Sequence, residues 1–292
     1  MDLCNACGAS LKDVEVSKSP NLFIAFIFGV DKTAFPLKIS MRLETENIMV
    51  FDDPLAITRA HVLSVPTDVY CPDIRSLFVD PGRGLILLQN MEESAWLALE
   101  RGPLADAEWR RKTLSEAGCN CSTAELRKHV IAAFNLPPSQ YQLHLQYMLP
   151  PLLPSHVGVF KRGAHFVHMR HFPLKFVREA LEKMKALDKS FSHAPTLTAA
   201  DLVQEIAPLG IDYDKAHAED MAKLAASNDF LANFKEADFK HAVKGGEATD
   251  KYTGSKDEKA PSLKELDAAD KLALQGYGRP YVDGKPGGVY YK

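Results

Sequence analysis

The chain has 292 residues, with 35 Lys and Arg against 38 Asp and Glu, and a net charge of −3. That length predicts one or two domains with a substantial core, and the near balance of charge argues against general nucleic-acid binding through a globally basic surface. The five cysteines are odd in number and no signal peptide is visible, which fits a reducing, cytoplasmic setting.

Cys4 and Cys7, near the start of the sequence, resemble half of a zinc knuckle. Tetrahedral zinc takes four ligands and this pair supplies two. Cys71, Cys119, Cys121 and His61 are further candidates for a structural zinc; reduced surface thiols are the plain alternative. Residues 21–30, 36–43 and 47–51 read as three strands, the second in nearly strict alternation. The apolar run at 22–30 is too short to span a bilayer as a helix, so no membrane partner is expected. Turns fall at 31–33 and 44–47. A strand follows over 61–66, ended by Pro66. A short helix is predicted over 71–77, with Pro72 in its first turn, and residues 80–84 read as a turn. A helix over 85–100 places Leu88, Met91, Ala95, Trp96 and Leu99 on one face. Another over 104–117 is stopped by Gly118. Ser122 and Glu125 mark the start of a helix running to about Phe134.

Residues 140–149 then read as a strand. Gln142, His144 and Gln146 project to one face, and Leu143, Leu145 and Tyr147 to the other. Pro150 and Pro151 stop the ladder. Short strands are predicted over 157–160 and 165–169 about a turn at 161–164. In an extended stretch His165 and His171 point away from His168, which disfavours one shared metal site. Pro173 starts a helix reaching Leu187. A linker at 189–195 leads to a helix capped by Thr198, with Asp201 in its first turn. Pro208 and Gly210 end it. Two short helices are predicted over 213–225 and 227–243. From Gly245 the chain turns to Lys, Asp, Gly, Ser and Pro and reads as flexible, with one short helix over 263–274.

A polar row on a buried strand face must find partners or ligands. The row Gln142, His144, Gln146 resembles the signature strand of the histidine-triad superfamily of nucleotide hydrolases, nucleotidyl transferases and dinucleotide phosphorylases. His144 falls on the nucleophile position. Gln146 falls on the Gln of the transferase and phosphorylase branch, and Gln142 stands where the first His usually sits. Residues 48–56, followed by His61 to Pro66, resemble the superfamily's first half, with Thr67, Asp68 and Val69 in place of the usual basic residue and His. The resemblance covers about residues 45–150, and loosely to 185. It implies an α+β fold: a HIT-like, mostly antiparallel sheet with helices packed on one side, plus a helical C-terminal extension. Residues 1–188 would form the nucleotide-binding domain, 189–244 a helical appendage and 245–292 a flexible tail.

The function implied is a nucleotide hydrolase or transferase/phosphorylase acting on dinucleoside polyphosphates or related nucleotides through a nucleotidyl-histidine intermediate. In it His144 attacks the α-phosphorus, while the amides of Gln146 and Gln142 donate to phosphate oxygens. Phe51, Leu55 and Ile57 are candidates to hold the base, and Asp52 or Asp53 to reach the ribose. His61 would line the pocket. His168 and Arg170 are candidate phosphate contacts, as is the N-terminus of the helix at 173–187. The alternative is a catalytically impaired nucleotide-binding or protein-interaction module on the same fold, since Gln142 cannot shuttle a proton as a His could. The expected partner is a small-molecule nucleotide. A homodimer would suit the superfamily's habit, and no cofactor is required beyond the candidate zinc.

Overall fold

The computed structural model describes residues 40–138 and 140–234. The strand expected at 21–30, the pair Cys4 and Cys7, and everything from residue 235 lie outside the described residues. Six strands form one sheet: β1 (Met41–Glu44), β2 (Ile48–Asp52), β3 (Thr58–Pro66), β4 (Ile131–Asn135), β5 (Leu145–Leu152) and β6 (His171–Pro173). Their order is β1-β2-β3-β5-β4-β6, and each neighbouring pair is antiparallel. The turn between β1 and β2 is closed by Thr45, whose N–H donates to Ile48 O at 2.8 Å and whose Oγ1 accepts from Ile48 N at 2.9 Å. Every residue of β3 but Arg59 is buried, as expected of a central strand covered on both faces.

Strand alternation divides the side chains between the two faces. Val50, Val62, Phe134, Leu145 and Tyr147 join the main core with the helices. Met49, Phe51, His61, Leu63, Gln146 and Met148 therefore face the other way. The helical layer is built on α1 (Pro81–Arg101), whose Leu88, Met91, Ala95, Trp96 and Leu99 are all buried. Residues 80–84 begin this helix rather than forming a separate turn. Asp80 Oδ1 accepts from Arg83 N at 3.1 Å, and Pro81 stands where its missing N–H is not needed. At Gly84 a Cβ would come within 2.9 Å of Leu77 O, so close packing requires the glycine. Ahead of α1, a short 3-10 helix (Ile74–Val79) replaces the expected helix over 71–77 and is capped by Asp73. The Asp73 carboxylate takes Arg75 Nε and Nη2 at 2.9 and 2.6 Å; Arg75 Nη1 donates to Leu197 O at 2.7 Å.

The helix expected over 104–117 is two pieces, α2 (Ala107–Thr113) and α3 (Glu116–Asn120). Gly118 lies inside α3, where a Cβ would meet Leu231 Cδ2 at 2.8 Å, so it permits an approach and does not stop a helix. Ser122 and Glu125 form a capping box on α4 (Thr123–Lys128), but that helix ends there, and Ile131–Asn135 becomes β4. Pro150 and Pro151 do not end β5, which runs through both to Leu152. The β3–β5 register shifts between Thr58 and Ala60, opposite these two residues that cannot donate to a ladder.

Residues 157–160, expected as strand, belong to α5 (Pro154–Lys161). The residues expected as a strand at 165–169 form a tight connection instead, with Phe166 and Met169 at φ of 58° and 62°. Pro173 caps α6 (Leu174–Ala186), whose Phe176, Val177, Ala180, Leu181 and Met184 complete the helical layer. Thr198 and Asp201 form the capping box of α7 (Ala199–Ile206). One continuous helix, α8 (Tyr213–Leu231), stands where two short ones are predicted. The fold is thus α+β, a mostly antiparallel sheet with helices packed to one side, plus C-terminal helices. Those C-terminal helices are not loose. Leu202, Ile206, Tyr213 and Leu231 enter the main core, while Leu224 packs with Ile131, Met148, Leu152 and Val157. Asn228 Oδ1 accepts from Leu152 N at 2.9 Å. Among the described residues no helix is long and apolar enough to cross a membrane.

Candidate active site

His144 stands one residue before β5 and is 4% exposed. Its Nδ1 lies 2.8 Å from the Gln142 carbonyl. A carbonyl can only accept, so Nδ1 carries the proton and the lone pair sits on Nε2. Burial pushes the imidazole pKa down from its usual 6.5; the Gln142 hydrogen bond and the charge of Asp53 act in the opposite direction. The ring is therefore neutral at pH 7.

Gln146, two residues on, lies within β5, and its orientation is set from β3. Ile57 N–H donates to His61 Nδ1 at 3.3 Å, which leaves Nε2–H as the donor. That group reaches Gln146 Oε1 at 2.6 Å. The Gln146 oxygen is thereby committed to His61 and its amide NH2 is turned away from that ring. Asp53 Oδ2 lies 3.4 Å from the same His61 Nε2. His61 is almost wholly buried, and desolvation lowers its pKa against the pull of Asp53 and Gln146. His61 thus joins Gln146 of β5 and Asp53 of the turn before β3 in one polar group, and the Asp53 charge also acts on the buried His144.

Gln142 is placed differently. Its Nε2 donates to Pro66 O and Val69 O, both at 2.8 Å, and its Oε1 lies 3.4 Å from Cys71 N. Leu143 N adds a bond to Cys71 O at 2.5 Å. The side chain expected to touch the phosphate instead ties the loop after β3 to the approach of β5.

The other sequence candidates divide. Phe51 is buried on the same sheet face as His61 and Gln146. Asp53 Oδ1 accepts from Leu55 N at 2.7 Å, so one oxygen shapes the turn while the other faces His61. Ile57 packs against the cluster of Ile131, Met148, Leu152, Val157 and Leu224, and Leu55 is 56% exposed. Asp52 is turned to Arg42, which holds it through Nε and Nη2 at 2.7 and 2.6 Å. His168 pairs with Asp214 of α8 at 2.7 Å on the surface, and Arg170 O accepts from Leu136 N. The N-terminus of α6 follows β6, two strands away from β5. Sequence reasoning missed the contact between His156 Nδ1 and His165 Nε2, 2.8 Å apart. Leu153 N donates to Ile57 O, which brings the start of α5 beside the turn that holds His61. Nothing in the local pattern announces this pair, because it depends on the bend at Phe166.

Among the described residues no group of three or more His, Cys, Asp or Glu side chains is arranged to hold a metal. Cys71 is buried, with its thiol pKa pushed up by desolvation. Cys119 and Cys121 direct their Sγ atoms to Arg110 O and Ala117 O at 3.2 and 3.4 Å.

No family model and no curated protein matches the chain. Two solved structures do, at low similarity. One is Hnt3 in complex with DNA and guanosine, 13% identical, with a TM-score of 0.35, covering 69% of this chain and 98% of that one. The other is an aprataxin ortholog, Hnt3, in complex with DNA, 15% identical, with a TM-score of 0.33, covering 70% and 98%. Two expectations are corrected on this finding. Both matched structures contain DNA, so the expectation of no general nucleic-acid binding is withdrawn, and with it the cytoplasmic placement. The physical reason is that a net charge of −3 belongs to the whole chain and says nothing of any local patch.

Proposed function

We propose that this chain is a histidine-triad-like enzyme acting on nucleotides, with His144 as the nucleophile. The observation that carries the reading is the fixed tautomer of His144: Nδ1–H is held by the Gln142 carbonyl at 2.8 Å, which puts the ring's lone pair on Nε2. In the first step Nε2 bonds to the α-phosphorus. The bond from phosphorus to the leaving oxygen breaks, and its electron pair departs with that group. The NH2 of Gln146, turned by His61, donates to a non-bridging oxygen as charge builds there. In the second step water or inorganic phosphate displaces the histidine, so one displacement becomes two. Phe51 and Asp53 stand on the same face to meet base and ribose. Dinucleoside polyphosphates are the finer substrate reading.

A second reading is favoured by Gln142, whose amide is spent on backbone groups. A site with that side chain occupied lacks a titratable first position, and a nucleotide-binding module with impaired turnover would look the same. Dinucleoside polyphosphates labelled at the α-phosphate, with short DNA duplexes in the same panel, separate the two. An acid-labile, base-stable adduct that His144→Ala abolishes is expected. Nucleotide binding with no adduct across the panel would leave the module and end the covalent mechanism.

A further inference from the structure

Behind the loop tied by Gln142 lies a cavity of about 380 Å³. It opens between residues 68–71, the turn at Asn47, the 3-10 helix at Ser76 and Leu77, and the start of α1 at Arg83, Leu87 and Asn90. None of the residues of the candidate active site lines it. Its volume is that of a small-ligand pocket. The walls combine apolar surface from Tyr70, Leu77, Ile86 and Leu87 with the side-chain amides of Asn47 and Asn90. The Asn90 amide has no hydrogen-bond partner among the described residues.

Charge selects the ligand. Asp80 caps α1 with its carboxylate, and the remaining ionisable groups, Asp68 and Arg83, oppose one another. Such a lining offers a polyphosphate no net attraction. It suits an uncharged ring with hydrogen-bonding edges, which side-chain amides read in pairs of donor and acceptor. We propose that this cavity binds a nucleoside without phosphate, and that its occupancy is felt at His144. The link is a short run of hydrogen bonds. Val69 and Cys71 form the cavity wall and are bonded to the Gln142 side chain and to Leu143 N. The carbonyl of that same Gln142 holds His144 Nδ1–H. A ligand that shifts the loop therefore shifts the group that fixes the histidine's tautomer. The coupling rests on the proposed role of His144; the binding site does not.

The test uses the full chain with adenosine, guanosine, cytidine and uridine, read by backbone amide chemical shifts. Saturable shifts at Val69, Cys71, Leu87 and Asn90 are expected with at least one nucleoside. Leu87→Trp, which fills the cavity, should weaken binding at least tenfold, as should Asn90→Leu, which removes the amide but keeps the helix. His144→Ala should leave it within twofold. Thermal melts of each variant show that it is folded. Shifts confined to the His144 face, binding abolished by His144→Ala, or binding untouched by both cavity variants would each overturn the proposal. In the same samples the ring nitrogens of His144 report the coupling: a change in their shifts on nucleoside binding is expected, and an unmoved His144 would refute it. Failure of the nucleotidyl adduct to form in the unliganded protein would count against the nucleophile reading alone.

Discussion

A histidine that attacks phosphorus must be unprotonated, and burial secures this for His144 by holding its pKa below 6.5. The expected consequence is an adduct-formation rate that falls with acidification and reaches its half-maximum below pH 6.5. Rapid-quench rates measured against pH check it, and a midpoint at or above 6.5 would contradict the site's electrostatics. Gln142 makes a separate prediction. Gln142→Leu would leave Pro66 O, Val69 O and Cys71 N without their present partner. A loss of about 2–4 kcal/mol in urea denaturation is expected, with a slower adduct step because His144 rests on the same residue's carbonyl. Alternation predicts Gln142, His144 and Gln146 on one face of a strand over 140–149, but β5 begins only at Leu145, so Gln142 and His144 stand on the approach to it. What each amide does was not legible in the sequence. Gln146 meets His61, 85 positions away, and Gln142 meets Pro66, 76 away, and no local pattern encodes either pairing.

At the scale of elements, the capped and strongly periodic pieces were readable. The core face of α1, the Thr198 and Asp201 box and the start of α6 follow from side-chain spacing and first-turn chemistry. Short apolar runs were not. Residues 130–134 fit a helix or a strand equally well by composition, and an open edge of β5 decides for strand. Residues 157–160 show the reverse outcome, where Pro154 at the first turn starts a helix. Docking of α8 turns on Asn228, which takes the Leu152 N–H that β5 leaves over. Asn228→Ala is expected to lower stability by about 1–3 kcal/mol by leaving that buried donor unmet. Chemical denaturation measures it, and a change under 0.5 kcal/mol would mean that the contact is replaced.

For the molecule as a whole, we propose that residues 189–234 belong to the same cooperative unit as the sheet, because α7 and α8 supply core residues. A single calorimetric transition is expected, and two well-separated ones would refute it. The transition should also move with pH. His61, His129, His144, His156 and His165 all have pKa values lowered chiefly by burial, His165 to about 4. Above pH 6.5 folded and unfolded chains both hold these rings neutral. Below it the unfolded chain takes up protons that the folded chain resists, so stability falls as pH drops from 6.5 towards about 4. A melting temperature that rises over that interval would contradict the assignment.

Arg75 holds the segment between α6 and α7 against the 3-10 helix. Its guanidinium is sunk in the protein and clasps Asp73 on one side and the Leu197 carbonyl on the other. Lysine at that position would keep the charge but lose the fork, since a single ammonium on a flexible stem cannot grip a carboxylate edge-on and also reach a carbonyl beyond it. The segment joining α6 to α7 would slip its mooring while the sheet stayed whole, and a protease would find its first foothold there.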